Sequence, residues 1–263
     1  MNHPVFARRI LYENEISKIL GNEEKVRSMH ENIKKGDMYI VKNVLSKKKV
    51  LEIHKYLVQI GRNSLPNYEK IEIGCPNFHR INNLDPRAYV KGCFHQFVFF
   101  PWNQDVFDFF RLFKEIFQLK NLLSNLPRDK FLGVEPEDGC TSRLAFQFYP
   151  KGAGQLNKHS DPIDYHQLTV PVMVMSEKGV DFQEGGAFVE NEAGEKIDLE
   201  KTVECGDVIY FNAQIAHGVD KIDPGAESNW LSFEGRWMAL FAVNKLFDNK
   251  DIPDAVDWEH VTN

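Results

Sequence analysis

His159, Ser160 and Asp161 place an imidazole and a carboxylate two positions apart. On an extended segment, side chains at i and i+2 leave the same face, so both can reach one metal ion. A chain with nine His meets such a pair by chance, and the pair gains weight only from its surroundings. A third ligand comes from His217, which follows the strand-like run Val208-Ile209-Tyr210-Phe211 and the loop Asn212 to Ile215. Two imidazoles and one carboxylate on one side of a metal leave three positions open, the arrangement of a non-haem Fe(II) centre that accepts a bidentate ligand and O2. Zinc is less well served, since structural zinc takes thiolates and catalytic zinc a tetrahedral set with one open position. His166 would have to fold back past Pro162 to compete, and reads as a surface or substrate-facing histidine.

These ligands need a frame. From Ser142 onward the chain breaks into short β-rich runs (142–149, 167–175, 186–190, 196–203, 207–212, 215–220 and 234–245) separated by Gly, Pro, Asn and Asp turns. Seven short strands in about a hundred residues indicate a sandwich or barrel. Residues 5–35 carry apolar positions at helical spacing with a break at Gly21-Asn22, Met38–Val44 reads as a strand, and Ser46 caps a helix with an apolar stripe of Val50, Ile53, Leu57 and Ile60, ended by Gly61. Residues 62–88 read as a long loop, Tyr89–Phe100 as a strand, and 104–126 as a helix whose Phe109, Phe113 and Phe117 pack on a sheet. The expected fold is mainly β with flanking helices: a double-stranded β-helix (jelly roll, cupin-like) with N-terminal helices packed on one sheet. No repeat or linker divides it, so we expect one domain over 1–263, comprising a helical extension (1–36), a scaffold of strand, helix and loops (37–141), a jelly-roll core (142–247) and a C-terminal tail (248–263).

Composition narrows the partners. A formal charge of −6 gives no basic footprint for nucleic acid or anionic membrane, and Lys47-Lys48-Lys49 reads as an exposed helix start. Cys75, Cys93, Cys140 and Cys205 show neither C-x-x-C spacing nor disulfide density, consistent with reduced thiols. No apolar leader or run of ~18 apolar residues is present, so we expect a cytoplasmic protein, monomeric or homodimeric.

The order of elements over 142–245 resembles the 2-oxoglutarate/Fe(II)-dependent dioxygenase superfamily, in particular its prolyl-hydroxylase-like and phytanoyl-CoA-hydroxylase-like branches. The carriers are Gln147-Phe148-Tyr149 leading into Gly152 and Gly154, then His159 and Asp161, Leu168–Val174, Gly185-Gly186-Ala187-Phe188, Gly206-Asp207 before a strand, His217, and Gly235-Arg236 heading the last strand. The resemblance implies Fe(II) held by His159, Asp161 and His217, with 2-oxoglutarate as co-substrate and O2 as oxidant. It also implies Arg236 as the bidentate partner of the far carboxylate of 2-oxoglutarate, with Tyr149 and Thr169, taken as neighbours on adjacent strands, donating further hydrogen bonds. Asp161 occupies the position that related halogenases leave small, which favours hydroxylation. The gap from His217 to Arg236 exceeds the family's roughly ten residues, and Met238 stands where a Ser is common; Lys221 is the alternative counter-charge.

The expected activity is hydroxylation of an unactivated C–H bond on a small-molecule or amino-acid-like substrate, with release of succinate and CO2. The alternatives are a protein-directed hydroxylase of the prolyl-hydroxylase kind and a non-catalytic cupin-like binding protein. Gln147, His95 and Trp230 are the candidate substrate contacts, with substrate-selecting loops expected at 62–104, 151–165 and 222–233; Trp102 and Arg143 could also contact substrate, but aromatic and amphipathic residues equally sit at sheet edges for packing reasons.

Overall fold

The computed structural model describes residues 5–162, 166–250 and 254–259. Residues 1–4 of the expected extension, 163–165 of the expected loop after Asp161, and 251–253 and 260–263 of the expected tail lie outside the described residues.

In chain order the elements are β1 (Ile10–Asn14), α1 (Ile16–Leu20), α2 (Glu23–Lys34), β2 (Met38–Lys42), α3 (Lys47–Asn63), β3 (Phe78–Asn83), β4 (Gly92–Phe99), α4 (Phe109–Leu112), α5 (Lys114–Leu123), β5 (Cys140–Pro150) and β6 (Gln155–Ser160). They continue as β7 (Val172–Val174), β8 (Gly186–Glu190), β9 (Lys196–Asp198), a 3-10 turn (Leu199–Lys201), β10 (Val208–Tyr210), β11 (His217–Asp220), β12 (Gly235–Lys245) and β13 (Val256–Asp257).

The strands pair in the order β1-β2-β10-β7-β12-β5-β4-β6-β11-β8-β9, with β3 beside β4 and β13 beside β6. The ladder folds over where β4 hands on to β6 (Gly92 opposite Leu156, Cys93 opposite Gln155), which gives a major sheet through β4 and a minor sheet of β6, β11, β8 and β9. The two sheets face each other: Ile40, Val174 and Ile209 of the major sheet pack on Val189 of the minor sheet, as do Tyr149 and Met238 on Val219. This is the double-stranded β-helix expected from the sequence.

Period-two alternation decides which side chains enter the space between the sheets. On β5, Leu144, Phe146 and Phe148 face outward; on β12, Trp237, Ala239 and Phe241 do the same, and all six join the helices in one core cluster. Ile53, Leu57, Phe109, Phe113 and Phe117 cover this face, and Ser46 caps α3 by accepting from Lys49 N–H. The Phe-rich composition is thus consumed at the helix–sheet interface. The opposite parity, Arg143, Ala145, Gln147 and Tyr149 on β5 and Arg236, Met238 and Leu240 on β12, is directed inward.

Several local expectations are corrected. Helices do not fill the N-terminal extension: Ile10–Asn14 is a strand because it pairs in parallel with Met38–Lys42, a partner remote in sequence. The 62–88 loop contains β3, which pairs along its length with β4. The helix over 104–126 begins only at Phe109 and is interrupted at Phe113. Residues 199–201 of the 196–203 run form a 3-10 turn, capped by the Asp198 side chain accepting from Glu200 N–H.

Candidate active site

β6 and β11 lie antiparallel with His159 directly opposite His217, which brings the two rings to 4.1 Å between centroids. His159 Nδ1 lies 2.9 Å from the Asn157 carbonyl and His217 Nδ1 2.8 Å from the Ile215 carbonyl. A carbonyl can only accept, so each Nδ1 carries the proton and each Nε2 lone pair is free for a metal. Asp161 is fixed by its own N–H donating to the Ala213 carbonyl, and its Oδ2 stands 3.6 Å from His217 Nε2. One ligand atom from each of His159, Asp161 and His217 falls within 4.8 Å of the others. Burial, with a smaller contribution from His159, holds the His217 imidazole down at about 4, so it is neutral and ready to ligate near neutral pH. His166 is not part of this cluster; its ring meets Phe131 edge-on.

Gly206-Asp207, which precedes the strand leading to His217, has a structural explanation. The buried Asp207 carboxylate accepts from Lys42 Nζ at 2.6 Å, Asn43 N–H at 2.9 Å and Glu204 N–H at 2.8 Å, fastening β10 to the end of β2. Gly206 has φ +97°, and a Cβ there would stand 2.0 Å from the Leu45 carbonyl oxygen.

Arg236 lies at the start of β12, opposite Tyr149, and is 1% exposed. Its Nε donates to Glu200 Oε1 at 2.6 Å, while Nη1 is buried without a partner. Glu200 also accepts from Ala187 N–H at 2.8 Å, and it fits against the chain only because residue 186 is Gly: a Cβ there would lie 2.5 Å from Glu200 Cγ. An orphaned guanidinium nitrogen inside the barrel is what a ligand carboxylate would satisfy. The Tyr149 hydroxyl, beside Arg236, donates to Gln147 Oε1 at 2.6 Å, and burial pushes its pKa up, so it remains a donor. The residues present therefore fit Fe(II) at the triad and 2-oxoglutarate reaching from it toward Arg236 and Tyr149. Lys221, the alternative counter-charge, is exposed.

Other sequence-predicted residues are placed elsewhere. Thr169 is not adjacent to Tyr149: β12 intervenes between β5 and β7, and Thr169 bridges Asn212 and accepts from Phe211 N–H at 3.2 Å. It steadies the approach to His217. His95 has outward parity, opposite Phe148, stacked with His79 and Phe97, and the Trp230 ring packs on it at 5.4 Å. Both therefore sit on the helix side of the major sheet, while Gln147 alone of the three substrate candidates points inward. Sequence reasoning missed Glu200, whose only signal is its long-range contact with Arg236. Arg143, a candidate substrate contact or edge residue by sequence, shares the inward parity of Gln147 and Tyr149.

By sequence, no family model and no curated protein matches the chain. Solved structures share its fold. A prolyl-4-hydroxylase from Pseudomonas putida aligns with TM-score 0.53 at 12% identity over 84% of this chain and 98% of that one. A full-length Neurospora crassa protein in complex with alpha-KG and thymine aligns with TM-score 0.50 at 14% identity over 93% and 88%. JOX2 in complex with 2OG, Fe and JA aligns with TM-score 0.50 at 15% identity over 99% and 81%. Among the described residues, no helix is long and apolar enough to cross a membrane.

Proposed function

We propose that this chain is an Fe(II)- and 2-oxoglutarate-dependent dioxygenase that hydroxylates an unactivated C–H bond of a small-molecule or amino-acid-like substrate, releasing succinate and CO2. The observation that carries the reading is the cluster of His159, Asp161 and His217, with both imidazole tautomers set by backbone carbonyls. The solved structures of like fold that hold 2OG or alpha-KG support the co-substrate, and those with thymine and JA support a small-molecule substrate. The iron and keto acid would supply the oxidising chemistry through oxidative decarboxylation.

The protein's part is placement. His159, Asp161 and His217 occupy one side of the metal and leave the other for co-substrate and O2. Arg236 neutralises the far carboxylate of 2-oxoglutarate, and its own excess charge is tempered by Glu200. Tyr149 offers a neutral hydroxyl beside that carboxylate. Apolar Val219, Met238 and Leu240 line the interior and limit water.

The test is succinate formation from 2-oxoglutarate by the purified protein with Fe(II) under air, read beside His159→Ala and Asp161→Ala. Wild-type turnover that both variants abolish, together with loss of bound iron, is the expected result. Undiminished turnover in either variant, or none in the iron-loaded wild type, overturns the reading.

A further inference from the structure

Positive charge collects at a second place inside the barrel, remote from Arg236. Arg143 on β5 opposes Ala242 of β12, whereas Arg236 opposes Tyr149. Six positions separate the two levels on β12, or ~20 Å at about 3.3 Å per residue. The Arg143 level lies toward the metal end of the barrel: Ala242 packs with Ala213, and the Ala213 carbonyl holds the backbone N–H of Asp161, whose side chain is one of the three clustered ligands. Arg80 enters from β3 on the same inner face, opposite Gln96, which in turn opposes Gln147, four positions along β5 from Arg143, so a polar stripe crosses three neighbouring strands and Arg143 stands at its metal-end side.

Neither guanidinium has a carboxylate paired to it. Among the described residues, neither Arg80 nor Arg143 forms an ion pair, and the Nε of each is buried without an acceptor. Arg80 rests over the Tyr68 ring at 5.3 Å. Burial lowers the pKa of both, that of Arg143 to about 10, with Arg80 adding to the effect on Arg143. Asp85 acts on Arg80 but is paired with Arg87, and Asp161, which acts on Arg143, belongs to the proposed metal site; the Tyr68 side chain also hydrogen-bonds to Arg80. Two half-buried guanidiniums on one inner face, each with an orphaned Nε, are a standing cost to the fold, which packing alone does not explain; a bound anion removes it.

We infer that Arg80 and Arg143 form an anion-binding subsite at the metal end of the barrel, so that the substrate is a small molecule carrying a carboxylate, phosphate or sulfate group. The inference rests on the dioxygenase reading for what happens to that molecule. Arg236 serves the co-substrate at the deep end, and the arginine pair serves the substrate's oxyanion at the metal end. Two oxygens of the anion meet two guanidiniums, which fixes one end of the substrate and presents a carbon along its chain to the metal.

The experiment uses full-length protein loaded with Mn(II) and 2-oxoglutarate, so that the Arg236 end is filled. Melting midpoints are recorded in low-millimolar sodium sulfate and sodium acetate against sodium chloride at equal ionic strength, for wild type, Arg143→Met and Arg80→Met; Met keeps an apolar stem while removing charge and donors. The expected result is a saturable rise for wild type, ~3–5 °C at about ten times Kd, that is lost in both variants. Sulfate acting alone identifies a tetrahedral dianion, and acetate acting as well identifies a carboxylate. No difference from chloride in wild type overturns the inference, as does an equal rise in both variants, which marks an adventitious ion only. If one variant does not fold, the wild type and the other variant decide by the same criteria. Succinate formation is measured in parallel: its absence overturns the dioxygenase reading whatever the anions do, and its presence without an anion effect overturns only this subsite.

Discussion

At the scale of single residues, the Arg236–Glu200 pair sets a testable balance. A charge-assisted hydrogen bond contributes ~1.5–3 kcal/mol. Arg236→Gln should therefore raise the KM for 2-oxoglutarate by about 10- to 150-fold, measured by succinate formation, with bound iron retained because the triad is untouched. Glu200→Gln keeps the amide oxygen that can accept from Arg236 Nε and Ala187 N–H but leaves the guanidinium uncompensated. Breaking a buried pair in this way costs about 3–5 kcal/mol, and 2-oxoglutarate then becomes the missing counter-charge. The melting midpoint of Glu200→Gln should fall, and its rise on adding 2-oxoglutarate should exceed that of wild type; a smaller rise would show that Glu200 does not temper Arg236. The triad was legible in the sequence because H-x-D and the later His217 are local patterns on strands. Glu200 and Arg80 were not, because what gives them meaning is a partner, or the lack of one, across the interior.

At the scale of elements, β5 shows how much a two-residue period conveys. Its outward side chains join the aromatic packing in which Phe146 meets Phe99, Phe109 and Phe113 at 4.9–6.3 Å. Phe146→Ala removes these contacts at once and should cost ~3–5 kcal/mol, read as a lower urea midpoint with unchanged slope. The same period, carried across to β4, would have set His95 apart from Gln147, since only the register with Phe148 assigns it to the helix side. Register is a property of pairs of strands and cannot be taken from one. That also explains why β1 and β3 were hidden: β1 finds its partner in β2 and β3 in β4, across loops or helices, and neither has strong alternation alone. Each of the seven runs from Ser142 onward contains a strand, legible because turn residues punctuate them, although 199–201 form a 3-10 turn and β6, which carries His159, is not among them.

For the molecule as a whole, buried imidazoles dictate the response to acid. Burial lowers His54, His79 and His95 to about 4 each. His79 Nε2 lies 2.9 Å from His95 Nδ1, and the His54 ring packs at a tilt on Trp237, 4.9 Å between centroids. Each is neutral when folded, whereas the unfolded chain takes up a proton below its ordinary value near 6.5. Their contribution to stability is therefore complete above about pH 6.5 and is lost as pH falls through about 4, with a slope of up to ~1.4 kcal/mol per pH unit for each proton. Urea midpoints measured from pH 7.5 to 4 should decline accordingly, and His54→Phe, which keeps a ring against Trp237, should make the decline shallower. Lys120 acts in the alkaline range. Burial depresses it to about 7, so the unfolded chain holds the extra proton between about 7 and its ordinary 10.5, and stability gained from it rises with pH over that range. Lys120→Met should raise the midpoint at pH 7 and flatten this rise.

The short strand β13 has a bearing on how the chain can be handled. β4 covers the flank of β6 only as far as Gln155 and Leu156; beyond that point β13 takes over, with Val256 opposite Ser160, Asp257 opposite His159, and Trp258 Nε1 donating to Ser160 Oγ at 2.9 Å. Trimming the chain before Val256 would leave β6, the strand that carries His159, as a bare sheet edge whose unpaired backbone groups invite pairing with another molecule. A shortened product should self-associate on size-exclusion chromatography and bind iron more weakly, so the Val256–Trp258 segment must be kept in any truncated version.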